Sequence, residues 1–262
     1  LFMHSRVFFY LSLLLVGGCL AFSGCLTAPA PEEPVPEMHT PAPTTVQTTF
    51  VPIVETPTPR PTPTAIGLSS EDINLHFMDV AFGGGNLFLE RLPLSSKRTT
   101  ISLNAGRESD KVLIELFTVK FNLLSQSNKL FENTKEGQTG DIRIKFLPPD
   151  GLKAIDLTSE MGWLNQEYTR GGITCAKIKG YDIYLNSEME GDMRDHYILR
   201  SLLYTLGFKG ATLRYQDSIF AYPENTVTEL SFLDEKALQV MYGLGMDNGM
   251  RVEDVKRVLF FR

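Results

Sequence analysis

The amino-acid sequence predicts an α+β domain over residues 67–262. Two observations lead there. Short stretches of apolar–polar alternation, such as Asp141 to Leu147, are interleaved with longer ones in which apolar residues recur every three or four positions. The first pattern suits a half-buried strand, the second a helix packed on one side. The order is strand, helix, strands, helix, then a less regular tail, with no internal repeat. This length supports a single well-cored domain.

The elements follow in order. Ser69-Ser70-Glu71-Asp72 opens a helix, with a serine cap and acids in the first turn. Ile73, Phe77 and Val80 share its inner face, and Gly83-Gly84-Gly85 closes it as a turn. No strand precedes these glycines and no Lys-Ser/Thr follows, so a flexible turn is a better reading than a phosphate loop. Thr99 to Asn104 is a strand by alternation. Ser109-Asp110 is expected to cap a long helix ending near Ser127-Asn128, with Val112, Leu113, Leu116, Val119, Leu123 and Leu124 as its apolar stripe. Leu130 to Asn133 is a short strand. Asp141 to Leu147 is another, terminated by Pro148-Pro149-Asp150-Gly151. Ile173 to Lys179 and Tyr181 to Asn186 are strands joined by a tight turn at Gly180. A helix starts near Asp192 and runs to Phe208.

Residues 1–25 read as an export signal. His4 and Arg6 precede an apolar run from Val7 to Val16, and small residues and cysteines follow. A small residue before Cys resembles the lipobox of prokaryotic lipoproteins. Cys25 is followed at once by a polar, Pro-rich stretch and is the favoured lipidation site; Cys19 has the better apolar residue three places earlier. An uncleaved anchor from Val7 to about Leu26 is the alternative, being about the length of a membrane span. Residues 26–66 form a Pro/Thr-rich stalk holding eleven of the chain's 15 prolines. Such a segment stays extended and buries no core. The chain is therefore expected to be tethered outside a membrane through a lipid anchor. Cys175 is the only cysteine beyond the leader and is expected to be a small buried apolar residue.

The balance of 25 basic and 31 acidic residues, with no basic block, argues against nucleic acid as a partner. Of the four histidines, only His76 and His196 lie in the domain. A catalytic zinc site needs three protein ligands and a water.

Arg200-Ser201-Leu202-Leu203-Tyr204-Thr205-Leu206-Gly207-Phe208-Lys209-Gly210 has the layout of the zinc-protease pattern H-E-x-x-H-x-x-G-x-x-H. Gly207 and the apolar positions are kept. Arg200, Tyr204 and Gly210 replace the three histidines, and Ser201 replaces the general-base glutamate. Ser218-Ile219-Phe220 looks like the Ser-Ile-Met of a Met-turn, and Ser231 with Asp234 makes a capping box for a following helix.

On these residues the stretch from about Leu68 to Met250 resembles a degenerate metzincin-like, zincin-fold domain of an uncharacterised family of exported prokaryotic lipoproteins. The resemblance implies a mixed β-sheet with a backing helix, a motif helix beneath it, and a smaller helical C-terminal part. His196, Arg200 and Tyr204 are spaced i, i+4, i+8 and share a helix face; in a zincin that face looks into the cleft, so they are the cleft candidates. Arg is no metal ligand and Ser201 is no carboxylate base, so no catalytic residue, metal or cofactor is expected. Arg200 is expected to pair with an acid such as Asp195 or Asp217, with Tyr204 filling the metal's space. A cleft that still binds a peptide, a glycan or an envelope protein is the functional counterpart, with Trp163, Tyr168 and Tyr222 as lining. The alternative is a peptidase or other hydrolase with non-standard residues.

Overall fold

Six strands form one mixed sheet in the order β2-β1-β3-β6-β5-β4: β1 (Thr99–Asn104), β2 (Phe131–Asn133), β3 (Ile142–Leu147), β4 (Asn165–Arg170), β5 (Ile173–Lys179) and β6 (Asp182–Asn186). The structure is a computed structural model describing residues 67–92, 99–126, 131–133, 139–158, 165–223, 225–243 and 246–260. The leader with Cys19 and Cys25, the stalk and Trp163 lie outside these residues.

Strands β2, β1, β3 and β6 run parallel, and β5 and β4 close the sheet as antiparallel neighbours. Alternation places Ile101, Ile142, Ile144, Phe146, Ile183 and Leu185 in the core, all buried. The register puts Ile101 opposite Ile142, Ile144 opposite Ile183, and Phe146 opposite Leu185. The other face carries Arg143, Lys145 and Asp182, tied by Arg143 contacts to Asp182 at 2.7 and 2.6 Å and by Lys145 at 3.2 Å. The β4–β5 hairpin, unforeseen from the sequence, turns at Gly171-Gly172, both with positive φ. Glycine adopts that backbone without the Cβ penalty.

Among the described residues six helices complete the fold: α1 (Ser70–Phe82), α2 (Glu108–Ser125), α3 (Pro149–Lys153), α4 (Gly191–Thr205), α5 (Phe232–Gly243) and α6 (Val252–Phe260). Helix α1 begins as expected, with Ser69 and Asp72 forming a capping box, and ends at a short 3₁₀ turn over Gly83–Gly85. Pro148 ends β3, but Pro149 sits in the first turn of α3, where its missing N–H costs nothing. Helix α2 packs on α4 and α5, and α1 on α5 and α6. Helix α6 follows where the sequence suggested only irregular chain. Cys175 is buried, as expected. Among the described residues no helix is long and apolar enough to cross a membrane.

Two readings of α2 need correction. The helix starts at Glu108, and Asp110 caps it by accepting the Arg107 N–H at 2.6 Å. The inward face is Asp110, Ile114, Phe117, Thr118, Phe121, Leu124 and Ser125, whereas Val112, Leu116, Val119 and Leu123 of the expected stripe are exposed. The inner face holds three polar residues, so hydropathy alone pointed to the wrong side.

Asp110 also explains how α2 and α4 are joined. Its carboxylate accepts Arg194 Nε and Nη2, each at 2.8 Å, with both side chains buried. Arg194 Nη1 donates to the Ser187 and Met189 carbonyls, and the guanidinium stacks 3.8 Å over the Phe146 ring. Burial would raise the Asp110 carboxyl, but the Arg194 and Arg107 hydrogen bonds outweigh it and hold it below the usual range. Removing one partner strands the other charge in the interior. Arg194→Ala is expected to lower stability by about 3–5 kcal/mol, measured by urea unfolding.

Candidate functional site

Helix α4 is interior from His196 to Thr205, every residue being buried. Its apolar side chains Ile198, Leu199, Leu202 and Leu203 need no partners. Its polar ones do, because an unpaired buried polar group costs about 1–3 kcal/mol. The cleft candidates meet that need internally.

Arg200 donates from Nη1 to the Phe208 carbonyl at 3.1 Å and from Nη2 to the Gly210 carbonyl at 2.6 Å. Its guanidinium carbon lies 4.8 Å from the Phe220 ring centre and 5.4 Å from that of Tyr168. The expected acidic partner, Asp195 or Asp217, is replaced by two backbone carbonyls. A planar fork of five donors suits carbonyls as well as carboxylates. Tyr204 donates its hydroxyl to the Asn165 carbonyl of β4 at 3.3 Å and packs edge-on against Tyr168. Burial raises its phenol, Tyr168 adds to this and Arg200 opposes it. His196 donates from Nδ1 to the Val227 carbonyl at 2.8 Å. Burial pushes its imidazole down to about 4, against the raising effect of that hydrogen bond.

Of the remaining motif positions, the two glycines have structural duties. Ser201 is fully buried and its hydroxyl has no hydrogen-bond partner. Gly207 has φ +109°, and a Cβ there would meet the Glu90 carbonyl at 2.0 Å. Gly210 lies against the end of α1: its N–H donates to the Val80 carbonyl, and a Cβ would meet the Asp79 carbonyl at 2.0 Å. The positions 200, 204 and 210 are thus brought together around Tyr168, Phe208 and Phe220. Tyr168 is buried and fills this space, while Tyr222 points outward and is exposed.

The segments after α4 are knotted at Asp234, expected from its spacing only to cap α5. Its carboxylate accepts Ser218 Oγ at 2.6 Å, the Ile219 N–H at 3.0 Å, the Ser231 N–H at 3.0 Å and His76 Nε2 at 2.8 Å. The Asp234 N–H returns to Ser231 Oγ at 3.2 Å, completing the expected capping box. His76 is therefore bound to α5, whereas His196 bonds to the Val227 carbonyl. Among the described residues no group of three or more His, Cys, Asp and Glu side chains is placed to hold a metal ion.

A cavity of about 610 Å³ opens beside Gly207 and Lys209, with Phe88, Leu89, Leu92 and Tyr181 in its wall. Several of its polar groups are already engaged. Lys209 forms an ion pair with Glu90, Arg91 Nη1 donates to the Met241 carbonyl, and the Arg91 N–H donates to Asn248 Oδ1. Burial lowers the Lys209 amine to about 8.

Compared with known proteins, the chain is matched by no family model, and no curated protein matches it.

Two outcomes follow from this geometry. Gly207→Ala is expected to lower stability by roughly 2–4 kcal/mol, because it joins a forbidden φ to a backbone clash; thermal unfolding measures it. His196 stays neutral in the folded state down to about pH 4, whereas the unfolded side chain takes up its proton near 6.5. Its contribution is complete above pH 6.5 and is lost as pH falls toward the folded value. Stability is expected to drop by about 2 kcal/mol between pH 8 and pH 5, and His196→Gln should flatten that part of the profile in urea titrations.

Proposed function

We propose that the chain is a surface-anchored lipoprotein whose folded part is a catalytically inactive zincin-like domain, binding or scaffolding at the cell envelope. The observation that carries this reading is the Arg200 guanidinium. It stands at the first ligand position of the motif and bonds directly to the backbone of the third, Gly210. On this reading a fixed positive charge stands at a ligand position of the motif, where it can hold no metal, and Ser201 offers no carboxylate to activate water.

The frame supports the fold half of the reading. A mixed sheet backed by α2 lies over the motif helix α4, and Ser218-Ile219-Phe220 and the capped helix α5 follow in the expected order. The face bearing His196, Arg200 and Tyr204 is buried, so a peptide, glycan or envelope protein is bound elsewhere on the surface. The membrane is reached through Cys25 or Cys19.

Zinc analysis tests the proposal. The full-length protein is incubated with excess zinc, desalted and assayed for metal and for cleavage of an unfolded protein substrate. The expected result is far less than one zinc per chain and no cleavage. One zinc per chain, lost on His196→Ala, overturns the inactive reading.

A further inference from the structure

Helix α2 is apolar on two opposite faces. Ile114, Phe117, Phe121 and Leu124 enter the core, while Val112, Leu116, Val119 and Leu123 on the far side are 48%, 65%, 67% and 76% exposed. Their spacing of four, three and four is the a/d spacing of a heptad repeat. At about 100° per residue the four fall within about 60° of arc. A seam this narrow matches a second helix, whereas packing on a sheet takes an apolar face of about 100° or more. The polar flanks contain Glu108, Glu115 and Asn122 on one side and Lys120 on the other. A helix lying on lipid carries a Lys/Arg-rich polar face instead.

We propose that this seam docks the α2 helix of a second copy of the chain, in parallel, with Leu116 and Leu123 at a positions and Val112 and Val119 at d positions. The flanking charges select this occupant and this orientation. Glu115 directly precedes Leu116 and is a g residue; Lys120 directly follows Val119 and is an e residue. In a parallel pair, each g side chain meets the e side chain five residues further along the partner helix. Each Glu115 then faces Lys120 of the other copy, twice across the two-fold axis. An antiparallel pair sets g residues against g residues, bringing Glu115 toward Asn122 and forming no such pair. Lys120 already contacts Glu235 at 2.7 Å but remains 40% exposed, and an ammonium has three donors to share.

The size of the seam sets the strength. An 18-residue helix is about 27 Å long, and one helix against another covers less than the ~800 Å² per partner of a standard interface. The dimer therefore belongs at the weak, micromolar end of protein association.

Sedimentation velocity of the full-length protein in detergent, from about 1 to about 300 µM so as to bracket that range, tests the proposal. The expected result is a reversible monomer–dimer equilibrium that is absent in the Leu116→Glu/Leu123→Glu variant, whose circular dichroism and melting stay unchanged because both positions are exposed. A monomer at every concentration overturns the proposal, as does a dimer that survives in the variant, which would belong to another surface such as the apolar leader. Orientation is read separately. Val119→Cys in a Cys19→Ser/Cys25→Ser background should form a disulfide-linked dimer on mild oxidation, since parallel helices set equal d positions side by side. A dimer by sedimentation that gives no such cross-link overturns the parallel arrangement.

Discussion

Helix α4 is covered from every side over its last three turns, so its polar groups can find partners only within the protein, and all but the Ser201 hydroxyl do so. Much of the surrounding architecture answers that demand. Arg194 recruits Asp110 and thereby fixes α2 against α4. Arg200 draws the chain after the helix back so that the Phe208 and Gly210 carbonyls face its fork. Tyr204 reaches the backbone of β4, and His196 holds the segment at Val227. Thr205 returns its hydroxyl to the Leu202 carbonyl within the helix. Hydrogen bonds to charged groups contribute about 1.5–3 kcal/mol each, and because they are directional they also constrain the path of the flanking chain.

Asp234 does the same service one layer away. Four donors from α1, the turn at Ser218-Ile219 and the start of α5 converge on a single buried carboxylate. One side chain therefore ties α1, the Ser218-Ile219 turn and the start of α5 together. Phe220, fixed by this turn, supplies the aromatic floor under Arg200. The two buried polar centres are mechanically linked through that ring.

The strands with buried alternation were legible almost to the residue, as β1 and β3 show, because period-two patterning survives wherever one face meets the core. Strand β4 escaped because its composition, Asn-Gln-Glu-Tyr-Thr-Arg, buries only Tyr168; it lies at a sheet edge where no apolar alternation is needed. The adjacent Gly171-Gly172 was a usable hairpin signal. Helix α2 was legible as a helix but not in its orientation, because its buried face carries Asp110, Thr118 and Ser125. At the candidate site the sequence placed Arg200, Tyr204 and Gly210 in one neighbourhood. It could not reveal that backbone carbonyls, rather than an acid, receive the guanidinium, since a carbonyl leaves no trace in residue identity. Asp234 was recognisable as a cap; its bond to His76 depends on the chain returning from 158 positions away, and its bonds to Ser218 and Ile219 on the path of the intervening loop.

The carbonyls that Arg200 occupies also entrench it. Any shorter residue at this position would leave two buried acceptors empty, each at a cost of about 1–3 kcal/mol, a large share of the 5–15 kcal/mol by which a domain is typically stable. Gly210 can accept no side chain at all while α1 ends where it does. A shorter side chain at 200 would require the loop to find new donors for its carbonyls, and any side chain at 210 would require the end of α1 to move. The local geometry thus acts as a ratchet: substitutions elsewhere on the surface remain open to change, whereas this corner of the domain is held to its present residues.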